Sequence, residues 1–230
     1  MNTNINVVLV HGAWADGSSW SKVIAALQAK GVTASAVQLP LTSLANDIAT
    51  TKRLLGLQEG PTVLVGHSYG GAVISGAATD SPGVKALVYV AAFGVDEGES
   101  LDALSKQGPP PFGASQIKPD SNGFLWIKRE GFHQAFAADA SAGEAAVMAA
   151  VQNPLSVTSF TDKAGVPAWK TVPSWYLVST MDQMIPPAAQ EFFAKRMNAT
   201  VKSIPASHAS MIAHAETVAD FILLAAKGAN

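Results

Sequence analysis

Cysteine is absent from the 230 residues, which excludes disulfides, thiolate metal sites and a cysteine nucleophile. Charge is scarce too: Asp, Glu, Lys and Arg make up 14% of the chain, against roughly 25% in an ordinary soluble domain. The 15 cations and 17 anions leave a formal net charge of −2, and no cationic run exceeds Lys128-Arg129. Polyanion binding draws on clustered cations that release counterions, so nucleic acid is excluded as a partner. Long apolar runs are missing as well. A membrane helix needs roughly 20 such residues, and the longest candidates, such as Val84 to Phe93, have the length of a strand. The opening Met1-Asn2-Thr3-Asn4-Ile5-Asn6 has neither a basic region nor a long apolar segment, so a cytoplasmic protein with no membrane partner is expected.

Hydrophobic residues make up 48% of the chain, enough to build a large core and too many for disorder. They fall into short β-branched runs alternating with segments of helical spacing, the pattern of strand-helix-strand units around a parallel sheet. Strands are expected at Asn4 to Val10, Val32 to Gln38, Thr62 to Gly66, Val84 to Ala91, Ser174 to Ser179 and Thr200 to Ile204. Several are continuously apolar, as strands buried on both faces must be. Helices are expected at Ser19 to Lys30, Leu44 to Leu57, Tyr69 to Thr79, Pro187 to Met197 and Ala215 to Lys227. The rhythm breaks from Gly94 to Pro173, too long for a loop and too apolar for a linker. The expected architecture is α/β, a doubly wound, mainly parallel six-stranded sheet formed by residues 1–93 and 174–230. Residues 94–173 form a mainly helical cap over one edge, with a helix near Ala142 to Gln152.

The strongest local signal is Val63-Leu64-Val65-Gly66-His67-Ser68-Tyr69-Gly70-Gly71, an apolar strand entering Gly-x-Ser-x-Gly and then a helix. A serine on a sharp strand-to-helix turn needs neighbours without side chains, and Gly66 and Gly70 supply that clearance. The same turn aims backbone amides at an incoming oxyanion. Ser68 is the expected nucleophile; a Gly-rich structural turn is the competing reading. A hydroxyl nucleophile needs a base and an acid that orients it, in the chain order Ser, acid, His. Of the five histidines, His208 follows the last strand and is favoured over His214, which suits a surface or capping role at the closing helix. His11 and His67 lie on the wrong side in chain order, and His133 falls in the insertion. Asp182, in the turn after Trp175-Tyr176-Leu177-Val178-Ser179, is favoured over Asp96 as the acid. The second oxyanion donor should come from the loop after the first strand. The backbone amides of Ala13 and Tyr69 are therefore the expected pair, with His11 in a structural role. Trp14, Phe112 and Trp126 are candidates to contact substrate, although aromatic residues of a cap also form its core.

These residues resemble the α/β-hydrolase superfamily, and within it the small serine esterases related to plant methylesterases and hydroxynitrile lyases. The resemblance rests on His11-Gly12-Ala13-Trp14, Gly66-His67-Ser68-Tyr69-Gly70-Gly71, the Asp182 turn with Ile185-Pro186-Pro187, and Ser207-His208. It implies a Ser68, Asp182 and His208 triad working without cofactor or metal under a small helical cap, on small carboxylic esters. Lyases of this group carry Thr where Gly12 stands and Lys after the triad histidine, where this chain has Ala209. There the Thr hydroxyl helps hold the cyanohydrin oxygen and the Lys ammonium supports the departing cyanide; neither is present, so an esterase for small to medium apolar esters is expected ahead of a lyase or perhydrolase. The alternative is a receptor of the same fold with very slow turnover. A homodimer stays open, since Phe221, Ile222, Leu223 and Leu224 of the closing helix either join the core or meet a partner.

Overall fold

The computed structural model describes residues 5–228, so the expected strand start at Asn4 lies outside the described residues. The described residues form nine strands: β1 (Asn6–Val10), β2 (Thr33–Ala36), β3 (Thr62–His67), β4 (Val84–Val90), β5 (Ile117–Pro119), β6 (Phe124–Ile127), β7 (Leu155–Ser156), β8 (Ser174–Ser179) and β9 (Thr200–Ile204). Six of them make one parallel sheet in the order β2-β1-β3-β4-β8-β9. All residues of β3 are buried although successive side chains point to opposite faces, so both faces are covered. The cover comes from α1 (Ser21–Ala29) packed on α10 (Ala215–Gly228), which the short α9 (Ser210–Ala213) precedes, and from α2 (Leu44–Leu55) packed on α3 (Gly70–Ala77). Helix α8 (Pro187–Arg196) lies against β8. No described helix is long and apolar enough to cross a membrane.

The insertion between β4 and β8 holds α4 (Leu101–Ser105), α5 (Arg129–Phe136), α6 (Ala142–Val151) and α7 (Val157–Thr161). It also holds an antiparallel sheet, β5-β6-β7, that the sequence reading did not anticipate. The β5-β6 connection runs through Asp120, whose carboxylate accepts from the amides of Asn122 and Phe124, with Gly123 at φ 81°. The insertion ties down onto loops that follow the sheet strands. Trp14 donates to the carbonyls of Asn153 through its amide and Leu125 through its indole, and the Ser156 amide donates to Leu41. On α10, Phe221 and Ile222 are core and Leu224 is 50% exposed.

Candidate active site

Ser68 follows the last residue of β3, the central strand flanked by β1 and β4, and α3 begins two residues later. Its φ of 54° lies in the left-handed region that L side chains rarely occupy, a strain a tight elbow imposes on the residue at its apex. The close approaches explain the flanking glycines: a Cβ on Gly66 would stand 2.6 Å from the Gly70 carbonyl oxygen, and one on Gly70 2.6 Å from the Val10 carbonyl oxygen. Gly12 abuts the serine itself, since a Cβ there would lie 2.7 Å from Ser68 Cβ.

Asp182 and His208 meet. His208 Nδ1 lies 2.7 Å from Asp182 Oδ2, and both side chains are fully buried. Asp182 Oδ1 accepts from the amides of Met184 (2.7 Å) and Ile185 (3.0 Å), and Oδ2 also accepts from Gln190 Nε2 (2.8 Å). A carboxylate surrounded by donors fixes the imidazole tautomer: Nδ1 carries the proton and donates, leaving the Nε2 lone pair bare. That Nε2 is buried without a hydrogen-bond partner. Asp96, the competing acid, instead pairs with Lys170 at 2.6 Å on the surface.

His67 links the elbow to the His208 loop. It is adjacent to Ser68 in the chain, its ring centroid is 4.7 Å from that of His208, and its Nε2 donates to the His208 carbonyl at 2.9 Å. Complete burial holds His67 well below the usual imidazole range, so it is neutral. His11 is also buried and shifted down, mainly by desolvation. Its Nε2 accepts from the Leu39 amide at 2.9 Å, which puts the proton on Nδ1, 2.8 Å from the Gly12 carbonyl. The structural role expected of His11 therefore has a definite form: it orients the Gly12-Ala13 peptide. Neither the Ala13 nor the Tyr69 amide donates to another group among the described residues, and both residues are buried.

Of the aromatic candidates, Trp14 stands nearest this cluster. Its φ is 58°, and its ring meets Phe136 edge-on at 6.5 Å. Phe136, from α5, packs on the His208 ring at 5.0 Å and was not singled out in the sequence; its spacing from Phe132 marks a buried helix face and nothing more specific. Phe112 neighbours Gly113, whose amide donates to Gln183 beside the Asp182 turn. Trp126 lies elsewhere, lining a groove of about 560 Å³ on the insertion with Lys118, Asp120, Arg129 and Glu130. His133 Nε2 donates locally to the Ala140 carbonyl at 3.0 Å, as its position in the insertion suggested. His214 stands directly before α10, where its carbonyl accepts from the Val218 amide, and its partly exposed ring faces Asp139 of the insertion at 3.2 Å. Two more residues escaped the sequence reading. Gln190 clamps Asp182, and Asp47 accepts from the Tyr69 hydroxyl at 2.5 Å and from the Leu41 amide at 2.9 Å. Gln190 reaches back only eight residues to Asp182, whereas Tyr69 lies 22 residues from Asp47.

The sequence model described as "Alpha/beta hydrolase family" matches residues 7–221. The chain belongs to the α/β hydrolase family. A "Carbendazim hydrolyzing esterase" of Nocardioides sp. (strain SG-4G) is 37% identical over 127 residues, covering 49% of this chain and 52% of that protein, so this match spans only about half of it. A "Pyrethroid hydrolase" of Sphingobium wenxiniae is 26% identical over 246 residues, covering 95% of this chain and 88% of that one. Among solved structures, a methylesterase from Arabidopsis superposes with a TM-score of 0.80 at 19% identity, covering 97% of this chain and 99% of its own. The fold is thus shared with the plant methylesterase group that the motifs resemble.

Proposed function

We propose that this α/β hydrolase is a serine esterase in which Ser68 is the nucleophile, His208 the general base and acid, and Asp182 the orienting carboxylate. The observation that carries the reading is the His208 imidazole: Nδ1 is bonded to a carboxylate, Nε2 is buried without a partner, and the ring lies 4.7 Å from that of His67, the residue before Ser68 on its strained elbow. As Ser68 Oγ attacks the ester carbonyl, its proton passes to His208 Nε2, and the imidazolium is stabilised by Asp182. The amides of Ala13 and Tyr69 hold the tetrahedral oxyanion; each such donor typically supplies on the order of 100 to 1,000-fold in turnover. His208 then protonates the departing alcohol, and the same histidine deprotonates the water that hydrolyses the acyl-enzyme. No cofactor or metal enters these steps.

The names of the two relatives support ester hydrolysis as the activity. Small to medium apolar esters fit best, because Trp14 and Phe136 make an apolar wall beside His208 and the insertion closes over it. Gly12 has no room for the Thr that the lyases carry, since a Cβ there already meets Ser68. The test is hydrolysis of p-nitrophenyl esters of increasing chain length by the wild type, Ser68→Ala and His208→Ala. Loss of turnover in both variants, with short acyl chains preferred, is the expected result. Wild-type rates in Ser68→Ala would sink the proposal.

A further inference from the structure

The loop carrying His208 is held by the insertion as much as by the sheet. The Ser207 amide donates to Asp139 Oδ2 at 2.8 Å, and the Ser207 hydroxyl donates to Asp139 Oδ1. On the other side of His208, the Ala209 amide donates to the Phe136 carbonyl at 2.9 Å. Both residues flanking His208 thus find their acceptors within the segment 136–139, at the end of α5 and the turn after it. The core contributes the bond from His67 Nε2 to the His208 carbonyl, one from the Ile212 amide to the Ala209 carbonyl and, just before the loop, one from the Met181 amide to the Ala206 carbonyl. Asp139 itself is only 19% exposed at its side chain, and His214 Nε2 closes its remaining side at 3.2 Å.

This arrangement bears on proton transfer. A ring tethered at Nδ1 alone can pivot about that hydrogen bond, so the position of Nε2 is decided by where the main chain of residues 207–209 sits. A carboxylate that takes both the amide and the hydroxyl of Ser207 fixes that residue at two points, which a single carbonyl acceptor would not do. We propose that Asp139 is a positioning residue for His208: through Ser207 it sets the distance and aim of Nε2 towards Ser68. The insertion then supplies part of the catalytic geometry besides covering the site. The proposal rests on reading His208 as the base.

The test compares Asp139→Ala, Ser207→Ala and their double variant, with Lys22→Ala as reference. Lys22 pairs with Glu144 of α6 and so joins the insertion to α1; its ammonium also donates to the Ile212 carbonyl at 3.1 Å, but it makes no hydrogen bond to residues 207–209 among the described residues. Asp139→Ala should lower kcat about 10- to 100-fold, as misplacement of a reacting group by about 1 Å does, while KM changes little. Ser207→Ala keeps the amide bond and should lose less, and the double variant should be no worse than Asp139→Ala, because the two residues act as one unit. The low-field proton resonance of His208 Nδ1 should shift or broaden in Asp139→Ala and stay in place in Lys22→Ala, which should also keep its kcat. Wild-type kcat and an unmoved resonance in Asp139→Ala would overturn the proposal, and so would an equal loss in Lys22→Ala, which would make it a general effect of loosening the insertion. Should Asp139→Ala not fold, Asp139→Asn and Ser207→Ala carry the test, and wild-type kcat in both overturns it. Full activity in Ser68→Ala would instead remove the reading beneath it, so the two failures are told apart.

Discussion

Asp47 is a buried carboxyl whose only polar company is the Tyr69 hydroxyl and the Leu41 amide, and no cation pairs with it among the described residues. Burial raises its pKa from the ordinary 3.8 to about 6, with the two hydrogen bonds offsetting part of that rise. A carboxyl whose pKa is higher in the folded than in the unfolded chain gives its full stability below the unfolded value, and loses it as pH rises through the folded one. The displacement corresponds to roughly 3 kcal/mol in all, of which about half is lost between pH 5 and pH 8. Asp47→Asn cannot ionise, yet its amide oxygen can accept from Leu41 and its amide nitrogen can donate to the Tyr69 oxygen. The variant should therefore gain about 1.5 kcal/mol relative to wild type as pH goes from 5 to 8. Urea unfolding of both proteins at several pH values in that range measures it. The difference between the two proteins is the quantity to follow. His11 and His67, held neutral by burial, make both proteins more stable as pH rises past the usual imidazole value, an opposite slope that cancels on subtraction. A difference that stays flat or falls with rising pH would refute the assignment of an ionising carboxyl to this position.

Three further outcomes follow from named contacts. Gly12→Ala places a Cβ 2.7 Å from Ser68 Cβ and 3.0 Å from the His67 carbonyl oxygen, so kcat should drop about 100-fold in a folded protein, read by ester hydrolysis alongside circular dichroism. Gln190→Leu strands the Ser179 amide and the Ile185 carbonyl, each at about 1–3 kcal/mol, so the urea midpoint should fall and kcat with it as Asp182 loses one of its donors. Phe136→Ala removes a fully buried ring from against His208 and Trp14, and should cost about 3–5 kcal/mol in unfolding free energy while raising KM for apolar esters.

The parts of the fold that sequence made legible are those with a local cause. Continuous apolar runs such as Val63 to Val65 declare a strand buried on both faces, and Gly66 and Gly70 around Ser68 declare a turn with no room for side chains. Chain order together with position after a strand was enough to favour Asp182 over Asp96, and the structure bonds Asp182 to His208. What stayed hidden depends on contacts far apart in sequence. Asp139 lies 68 residues from Ser207, and its role depends on the insertion folding back over the last loop. Asp47 lies 22 residues from Tyr69 on another helix, where it reads as an ordinary first-turn acid of α2. The β5-β6 hairpin was legible in principle, because Asn122-Gly123 followed by Phe124-Leu125-Trp126 is a turn followed by a strand. The prolines and short strands around it hid that signal. Strand β2 ends at Ala36 instead of continuing to Gln38; it is an edge strand with a partner on one side only.

The proposed mechanism requires that Ser68 becomes acylated while His208 and Asp182 manage the proton. Intact-protein mass spectrometry after rapid mixing with p-nitrophenyl butyrate, followed by peptide mapping, tests it most directly. A transient mass increase of one butyryl group located on Ser68 is expected, absent in Ser68→Ala and formed far more slowly in His208→Ala. Turnover of the ester with no adduct at Ser68, or an adduct on another residue that persists in Ser68→Ala, would contradict it.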